Sequence, residues 1–490
     1  DGNVRREGRR PGFVVRTNSM TVARKERRCH SSISQGKITV LQDRYKISSD
    51  KILGEGGFAK VYRGLDTKEC RGVAVKVYTE SDDVTFQSFK KSVEVLTRLN
   101  QRDRRGSLTV SKAGSEDFAP CESFKPGLLE STVGNLSTIS GADGEHISQQ
   151  LLNEMSFADC FVDLIDFSKD ENGDPDLDIT TELYFLVFEL GEESLDNVIS
   201  TYSDEGQSFS LAELRNLHWS LVSIVCGLHH EGYVHMDIKP MNIMRFSRAK
   251  GDSTVTFWKL IDLDGAMKTG KKVAVKDIVF TPQYMAPELA EAVYNYSQEP
   301  RQPPPKSPKQ QEVTPQLRLS RLMDIWSVGM CALEAIFLTP VLDPWYNEWR
   351  EETGGEGKFL KWLGDLDGEP IISGEMADAL TEVHADLCSF LTQMLARDPA
   401  ERCTITECLS HSWLQPVRQE LQEDIDKFVN SKLRKQTSDE TGVESCARSS
   451  DAGTHFRGSI LQRMAPDITV RTAKAKLIEK GLTSKACSIM

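Results

Sequence analysis

The sequence lacks the features of several large protein classes. No apolar run approaches the about 18 residues that a membrane-spanning helix needs. The eleven cysteines include no CxxC pair, so we expect free thiols in a reducing compartment rather than a disulfide framework or a zinc site. Positive charge is in deficit, and the net charge of -13 disfavours a general nucleic-acid binder. The chain also has no internal repeat.

What is present is the composition of a soluble globular protein. With 490 residues, 39% hydrophobic and 27% charged, the chain has room for two or three domains or for one large domain with insertions. Residues 1–40 carry ten lysines and arginines against three acids, which predicts a disordered basic arm over 1–44 or the remnant of a transit peptide. Because the first residue is Asp1, we expect the natural start to be missing or processed.

Residues 45–190 have the pattern of a strand-rich unit with one helix. Two β-rich runs, YKISSDKILGEGGFAKVYRGLD and RGVAVKVYTE, precede TFQSFKKSVEVLTRLN. In this last stretch Phe89, Val93 and Leu96 recur at helical spacing. A polar insertion at 101–150 is predicted to be disordered. Two apolar strands, CFVDLIDF and ELYFLVFEL, complete the unit.

Residues 191–415 have mainly helical periodicity. One helix is predicted from Leu211 to Glu231, where Gly232 ends it, and helices continue from Arg321 to about Leu414. A proline-rich insertion at 298–316 is expected to be exposed and polyproline-like. The tail, 416–490, is predicted to be partly helical and then disordered. Strands that precede helices in this way predict a two-lobed α+β fold.

Two features of the first lobe suit phosphate binding. The run GEGGFAKV places Gly54, Gly56 and Gly57 between two strands, where backbone N–H groups can approach phosphate oxygens. Lys76 follows in VAVK, flanked by apolar strand residues, and its ammonium is predicted to point into a cleft. Taken alone, the first feature is equally compatible with an ordinary hairpin, and Lys76 with a surface lysine.

Six short motifs follow one another in one order: the glycine turn, Lys76, a helix glutamate, HMDIKPMN, LIDLDG and YMAPE. Together they resemble the eukaryotic protein kinase family over roughly residues 45–415. The resemblance implies a bilobal α+β fold and the cofactors ATP and Mg2+. It also implies transfer of the ATP γ-phosphate to serine or threonine hydroxyls of protein substrates.

The resemblance implies an ATP site that begins at the glycine turn. In it, Lys76 contacts the α- and β-phosphates and pairs with Glu94 of the following helix. Phe188 is the implied gatekeeper, and Glu189 and Leu190 offer backbone groups to the adenine. The full set of implied ATP-site residues is Leu53, Gly54, Glu55, Gly56, Gly57, Phe58, Ala59, Val61, Ala74, Lys76, Glu94, Phe188, Glu189, Leu190 and Met244.

The resemblance also assigns catalytic roles. Asp237 orients the substrate hydroxyl or accepts its proton, and Lys239 neutralises charge on the transferred phosphoryl group. Asn242 and Asp262 are the implied Mg2+ ligands. Thr281 bonds the catalytic aspartate and lysine, which favours serine or threonine over tyrosine as the acceptor.

Two departures from the family lie in the catalytic loop, residues 235–242, and in the activation segment, residues 262–288. Met236 stands where many relatives have an arginine that pairs with a phosphorylated loop. We therefore expect activity not to depend strongly on phosphorylation of this segment, whose threonines are Thr269 and Thr281. Asp264 stands where the family has a glycine. The apolar alternation of WKLID favours Asp262 as the metal ligand, and the alternative register uses Asp264 instead.

A third departure lies on the first helix. Arg98 occupies a place where the family has an apolar residue four positions after the glutamate. Either the helix is shifted locally, or Leu96 or Leu99 supplies the missing apolar contact.

Three further residues have scaffold roles by resemblance. Glu288 is expected to pair with Arg402 in a buried bridge, and Asp324 to brace the backbone of the catalytic loop. Met241 takes a place where some relatives have a glutamate for substrate arginine, which argues against that preference.

The chain ends in KACSIM, which fits a prenylation pattern at Cys487. Lysines nearby offer a second, electrostatic attraction to a membrane. The same four residues are also compatible with an ordinary terminus.

The resemblance therefore implies an ATP-dependent serine/threonine protein kinase. Its expected partners are ATP and protein substrates, not nucleic acid, and a cytoplasmic location is expected, with the membrane or nucleus as alternatives. The main rival is a kinase-shaped scaffold that binds nucleotide with little turnover. It is favoured by the substitutions Met236, Asp264 and Phe280, the last of which stands where the family usually has a glycine just before Thr281. A small-molecule kinase is disfavoured, because YMAPE and the helices after it form a docking platform for a polypeptide.

Overall fold

The computed structural model describes residues 37–100, 157–250, 253–298, 315–350 and 355–423. Several predictions fall outside these residues: the basic arm over 1–36, the insertion at 101–150, most of the proline-rich insertion, the tail beyond 423, and Cys487. Within the described residues, no helix has the length and apolar content needed to cross a bilayer.

The first lobe is built on a six-stranded sheet in the order β1-β2-β3-β4-β6-β5, in which every pair of neighbours is antiparallel. Its strands are β1 (Ile38–Leu41), β2 (Tyr45–Glu55), β3 (Ala59–Asp66), β4 (Arg71–Tyr78), β5 (Leu164–Phe167) and β6 (Phe185–Glu189).

Strand β1 corrects the predicted extent of the N-terminal arm. The sequence placed residues 37–44 in a disordered arm, but Ile38–Leu41 pairs with β2 at the sheet edge. Leu41 is fully buried with Tyr45, whereas Ile38 is exposed. A short run with a single buried side chain has too little periodicity to predict a strand.

The two faces of β4 serve different purposes. Val73, Val75 and Val77 belong to a small core with Tyr45 and Phe185 on one face of the sheet. The intervening residues point the other way, because successive side chains of a strand alternate. Lys76 is paired with Val61 on β3 and Leu186 on β6, in the middle of the sheet. The alternation therefore directs Lys76 towards the second lobe.

Helix α1 (Asp83–Asn100) packs on the face of the sheet that carries Lys76. Its buried stripe contains Phe89, Ser92, Val93, Leu96 and Leu99, at the spacing expected of one helix face. These residues join the large core that continues into the second lobe.

The second lobe is helical. Its longest helices, α3 and α5, contact each other. Helix α3 begins with a capping box in which Ser210 and Glu213 satisfy each other's backbone N–H groups. Its helices include α2 (Leu195–Asp204), α3 (Leu211–His230), α4 (Pro287–Gln298), α5 (Arg321–Phe337), α6 (Asp343–Arg350), α7 (Gly355–Leu363), α8 (Gly374–Val383), α9 (Ala385–Met394) and α10 (Ile405–Ser410).

Further strands occur in the second lobe. A three-stranded sheet has the order β10-β9-β7, and two ribbons pair β11 with β8 and β12 with β13. Their bounds are β7 (Glu193–Ser194), β8 (Tyr233–Val234), β9 (Ile243–Lys250), β10 (Ser253–Leu260), β11 (Met267–Lys268), β12 (Lys272–Ala274) and β13 (Gln316–Arg318). The predicted two-lobed α+β fold is confirmed.

Candidate active site

A cavity lies between the sheet of the first lobe and strands β7 and β9, together with residues 261–264 after β10. Ten residues of the implied site line it: Leu53, Gly54, Val61, Ala74, Lys76, Phe188, Glu189, Leu190, Met244 and Asp262. Asp264, the alternative metal ligand, also lines it, and other lining residues were not predicted for this role, among them Leu96, Val162, Gly191, Ile261 and Leu263.

Gly191 illustrates a requirement that the sequence did not reveal. A Cβ atom at this position would lie 2.2 Å from Cγ of Met244, so a larger residue would displace the floor of the cavity. The glycine therefore allows close approach of the β6–β7 connection to β9. The local sequence LGEE gives no sign of this contact without the fold.

The glycine turn joins β2 and β3. The N–H of Gly56 donates to the carbonyl of Ala59 at 2.9 Å, and a Cβ atom on Gly57 would meet nothing within 4 Å. Phe58 is exposed, while Ala59 is buried. Glu55 is ion-paired with Lys60 across the turn at 2.8 Å. The backbone at Gly57 therefore has open space beside it, as a phosphate-covering loop requires.

Lys76 is almost fully buried, with 6% of its surface exposed. Its Nζ lies 2.7 Å from Asp262 Oδ1 and 2.8 Å from Asp264 Oδ2. Burial alone lowers the pKa of an ammonium, but the two carboxylates outweigh burial and hold the pKa of Lys76 well above its ordinary value. Lys76 is thus a fixed positive charge inside the cleft.

The expected pairing of Lys76 with Glu94 is not formed. Glu94 is exposed, because it follows Val93 by one position and lies about 100° around the helix from the buried stripe. Ser92 is the polar residue within that stripe. The spacing of Phe89, Val93 and Leu96 in the sequence already places Glu94 outside the apolar face of the helix.

Arg98 also finds a surface role. It donates from Nε to Glu231 at 2.9 Å and is half exposed. Leu96 and Leu99 are both buried, and Leu96 lines the cavity. The apolar contact is therefore supplied by neighbours of Arg98 along the chain.

Asp237, Lys239 and Thr281 form a closed triangle. Lys239 Nζ lies 2.9 Å from Asp237 Oδ2 and 2.9 Å from Thr281 Oγ1, and Thr281 Oγ1 donates to Asp237 Oδ1 at 2.6 Å. Asp237 and Lys239 are both buried. Residues from two separate segments therefore hold one carboxylate in a fixed orientation.

The two polar atoms of the Asn242 side-chain amide differ, because one is hydrogen-bonded and the other is not. Its Nδ2 donates to the carbonyl of Asp237 at 2.9 Å, while its Oδ1 is buried and has no hydrogen-bond partner. A buried acceptor without a donor is unfavourable unless another group binds it. Amide and carboxylate oxygens are suitable Mg2+ ligands, so Asn242 fits the metal that the resemblance implies.

Asp262 lies beside Asn242, because the N–H of Ile261 donates to the carbonyl of Asn242 at 2.8 Å. Its backbone is left-handed, with φ of 60°. Burial opposes ionisation of its carboxyl, but the Lys76 ammonium holds the pKa of Asp262 below its ordinary value. Asp262 is thus ready as an anionic ligand.

Mg2+ commonly uses one or two protein carboxylates together with substrate phosphates and water. Among the described residues, no three His, Cys, Asp or Glu side chains cluster as a ready-made metal site. Asn242 and Asp262 therefore fit an ion that is shared with a nucleotide.

His235 links the catalytic loop to Asp262. The N–H of Asp237 donates to His235 Nδ1 at 3.3 Å, so Nδ1 is the acceptor nitrogen. The other ring nitrogen, Nε2, donates to the carbonyl of Asp262 at 2.9 Å. This pair of contacts fixes the tautomer of the imidazole and joins two segments that are distant in sequence.

Asp324, at the start of α5, is fully buried and braces the same loop. Its carboxylate accepts from the backbone N–H of His235 and of Met236 at 2.9 Å each and lies 2.9 Å from His229 Nε2. Met236 has φ of 72° and is 3% exposed. Hydrogen bonds from two successive N–H groups hold this left-handed backbone.

Glu288 and Arg402 form a two-pronged bridge. The guanidinium donates from Nη1 to Oε1 at 2.9 Å and from Nη2 to Oε2 at 3.0 Å. Arg402 is buried and also bonds the carbonyl of Leu322 at 2.8 Å. The bridge fastens the start of α4 to α5 and to the loop before α10, and it contacts none of the cavity-lining residues named above.

Comparison with known proteins supports a protein kinase domain. Residues 144–302 match the family model described as the protein kinase domain. This range contains Asp237, Lys239, Asn242, Asp262 and Thr281, and it begins after Lys76.

Three distant relatives are named as kinases. The chain is 29% identical to the smooth muscle myosin light chain kinase of Gallus gallus over 38% of its own length and 8% of the relative. It is 25% identical to serine/threonine-protein kinase 17A of Oryctolagus cuniculus over 47% and 46% of the two chains. It is 24% identical to a probable cyclin-dependent kinase 8 of Dictyostelium discoideum over 48% and 62%. The chain thus spans less than two thirds of each.

Proposed function

We propose that this chain is a protein kinase that transfers the γ-phosphate of ATP to serine or threonine hydroxyls of proteins. The observation that carries the proposal is the buried triangle of Asp237, Lys239 and Thr281 beside Asn242 and Asp262. Positioning and fixed charge are the main demands of phosphoryl transfer, since little covalent chemistry is left to the protein.

Each of these residues has a definite task. Asp237 is oriented by Thr281 and Lys239 so that its carboxylate can receive the hydrogen bond of an incoming hydroxyl and then its proton. Lys239 supplies positive charge next to the transferred group, and Lys76 supplies it at the far side of the cleft. Bound Mg2+ supplies neutralisation of phosphate charge, and Asn242 and Asp262 would hold it.

Serine or threonine is the proposed acceptor because of Thr281 and Lys239. Their mutual contact at 2.9 Å fills the space beside Asp237 with a hydroxyl and an ammonium. The distant relatives named as serine/threonine or myosin light chain kinases are consistent with this acceptor.

The test is transfer of radiolabel from γ-labelled ATP with Mg2+ to a general protein substrate such as casein. We expect phosphoserine and phosphothreonine in the product and no transfer by the Asp237→Asn variant. The variant is isosteric, and its unchanged thermal unfolding would show that the fold is kept. Label on tyrosine alone would contradict the choice of acceptor.

A second candidate is a kinase-shaped scaffold that binds nucleotide without turnover. It is favoured by the unusual residues Met236, Asp264 and Phe280, all close to the catalytic loop or activation segment. The discriminating result is binding of a fluorescent ATP analogue by a protein that transfers no label to any substrate tested. Transfer that depends on Asp237 would eliminate this candidate.

A further inference from the structure

The surroundings of Asp264 differ from those of an exposed turn residue. Its side chain is only 14% exposed. One carboxylate oxygen, Oδ2, lies 2.8 Å from Lys76 Nζ, and the other, Oδ1, accepts from Ser92 Oγ at 2.8 Å. The hydroxyl of Tyr78 lies 3.5 Å from Oδ1, and Lys91 Nζ donates to the backbone carbonyl of Asp264 at 3.2 Å.

We propose that Asp264 is the positioning residue for Lys76, in the place that the family resemblance gave to a glutamate of helix α1. This inference rests on the proposed kinase function. It assigns a role to a residue that departs from the family pattern, where a glycine was expected.

The geometry of helix α1 requires such a substitute. Glu94 points to solvent, and the stripe that faces Lys76 carries Ser92 instead. A serine hydroxyl has no charge to offer an ammonium, but it can hold a carboxylate that comes from elsewhere. Asp264 provides that carboxylate and is itself held by the helix through Ser92 and Lys91.

Asp262 alone is not sufficient for this task. Its carboxylate is the proposed anionic ligand of a divalent cation, and Lys76 would have to share the same oxygens with that cation. Asp264 gives Lys76 a second charge-assisted contact that does not depend on Asp262. Lys76 is thereby kept in place when Asp262 has another partner.

Asp264 also connects three elements. Its contacts reach β4 through Lys76, α1 through Ser92, and its own segment between β10 and β11. A single buried carboxylate therefore couples the orientation of α1 to the segment that carries Asp262.

The main test compares four variants of the full chain: Asp264→Asn, Asp264→Gly, the double variant Asp264→Gly with Ser92→Glu, and Glu94→Gln. The first keeps the shape but removes the charge, and the second installs the family residue. The third moves a carboxylate onto the inner stripe of α1. The fourth neutralises an exposed carboxylate on the same helix and is the matched control.

We expect Asp264→Asn and Asp264→Gly to lower kcat/KM for ATP by about tenfold or more, because small displacements of a positioned group are costly. The KM for the protein substrate should not change, since the role proposed for Lys76 is to contact the nucleotide. The double variant should recover most of the loss, and Glu94→Gln should behave as the parent protein. A role in stability alone would not produce this split between the two KM values or the recovery.

Two measurements do not need catalysis. The dissociation constant of a fluorescent ATP analogue should rise for both Asp264 variants and recover in the double variant. Hydrogen exchange of α1, measured without nucleotide or metal, should accelerate in Asp264→Gly, because the contacts with Ser92 and Lys91 are lost.

The outcomes separate this inference from the proposed function. If the parent protein transfers phosphate and Asp264→Asn matches it in both kcat/KM and nucleotide affinity, the inference is wrong and the function stands. If the parent binds nucleotide without transfer, the dissociation constants still decide the role of Asp264. If it neither binds nor transfers, both ideas fail. Should Asp264→Gly not fold, the isosteric Asp264→Asn gives the answer.

Discussion

The two sides of the cleft follow the family resemblance to different degrees. On the side of the second lobe, Asp237, Lys239 and Thr281 contact one another as the motifs imply, and Asn242 donates to the carbonyl of Asp237. On the side of the first lobe, Lys76 takes both partners from positions 186 and 188 residues later, and none from α1.

The difference reflects how far apart in sequence the interacting residues lie. Three of the residues on the catalytic-loop side fall within six positions, and the short 3-10 turn Pro240–Asn242 fixes their relative placement. The contacts of Lys76 depend on how a strand, a helix and a distant segment pack together. The roles of a motif's residues can therefore be inferred from the family more reliably when those residues lie within one turn of the backbone.

The largest expected effect distinguishes the two sides of the cleft by the quantity that changes, which is kcat alone for one side and nucleotide affinity as well for the other. Asp237→Asn should lower kcat by about a thousandfold, as loss of a catalytic base does, and should leave the affinity for nucleotide unchanged. Steady-state kinetics and titration with a fluorescent ATP analogue measure the two quantities. Lys76→Met is the matched comparison, because it should weaken nucleotide binding as well. Equal losses of affinity in both variants would break the distinction.

The next effect tests whether the catalytic-loop side depends on its buried scaffold. Arg402→Met should lower the free energy of unfolding by about 3 kcal/mol, because it leaves the Glu288 carboxylate, only 13% exposed, without its partner. Denaturant unfolding of the full chain measures this loss.

The control for this prediction is Arg248→Met, which removes a half-exposed arginine 3.5 Å from Asp159. Its cost should be much smaller, since exposed ion pairs contribute little. Similar losses for the two variants would mean that the bridge to Glu288 has no special weight.

A pH effect of intermediate size compares two buried carboxyl groups. Asp262 has a cation beside it, whereas Glu334 on α5 accepts a hydrogen bond from the Tyr284 hydroxyl at 2.6 Å. Burial raises the pKa of Glu334 to about 8, above the ordinary 4.5, although the bond from Tyr284 opposes the shift. The folded protein therefore keeps a proton on Glu334 that the unfolded chain loses.

Because the folded pKa is the higher one, the contribution of Glu334 to stability is complete below about pH 4.5 and falls as the pH rises towards 8. Relative to Glu334→Gln, the parent protein should lose about 1 kcal/mol of unfolding free energy per pH unit in this window. Unfolding at pH 5, 6 and 7 measures the difference. A difference that stays constant with pH would show that Glu334 is ionised in the fold.

The smallest effect concerns the activation segment. Thr269 has a buried hydroxyl, and Met236 is packed in the core where an arginine was expected from the family. We expect Thr269→Ala to leave kcat unchanged, because activity should require neither a phosphate on Thr269 nor the arginine that usually pairs with such a phosphate. Thr281→Ala is the comparison and should lower kcat through loss of its bond to Asp237. Abolished activity in a folded Thr269→Ala protein would contradict independence from phosphorylation.

Several elements were predictable because their signals are local. Helix α3 was expected from Leu211 to Glu231 and extends over Leu211–His230, since its apolar spacing and the glycine after it are both readable in sequence. The start of α5 at Arg321 also agrees with the predicted position. The two-lobed α+β class followed from the order of strands and helices.

Other features required the assembled fold. The orientation of Glu94 was assigned by distance along the chain from Lys76, whereas the buried stripe of α1 decides it. Strand β1 depends on pairing with β2, and Gly191 matters only because Met244 packs against it. In each case the deciding contact comes from a residue that the local pattern does not mention.

The sequence by itself determined which chemical groups are available: a buried lysine, carboxylates, an amide and a threonine. Their order along the chain matches the order of the protein kinase motifs. Only the tertiary structure decided which carboxylates reach Lys76. The physical reason is that an ammonium buried in a cleft binds whichever anions packing brings within hydrogen-bond distance, and packing is set by helix faces and sheet edges rather than by spacing along the chain.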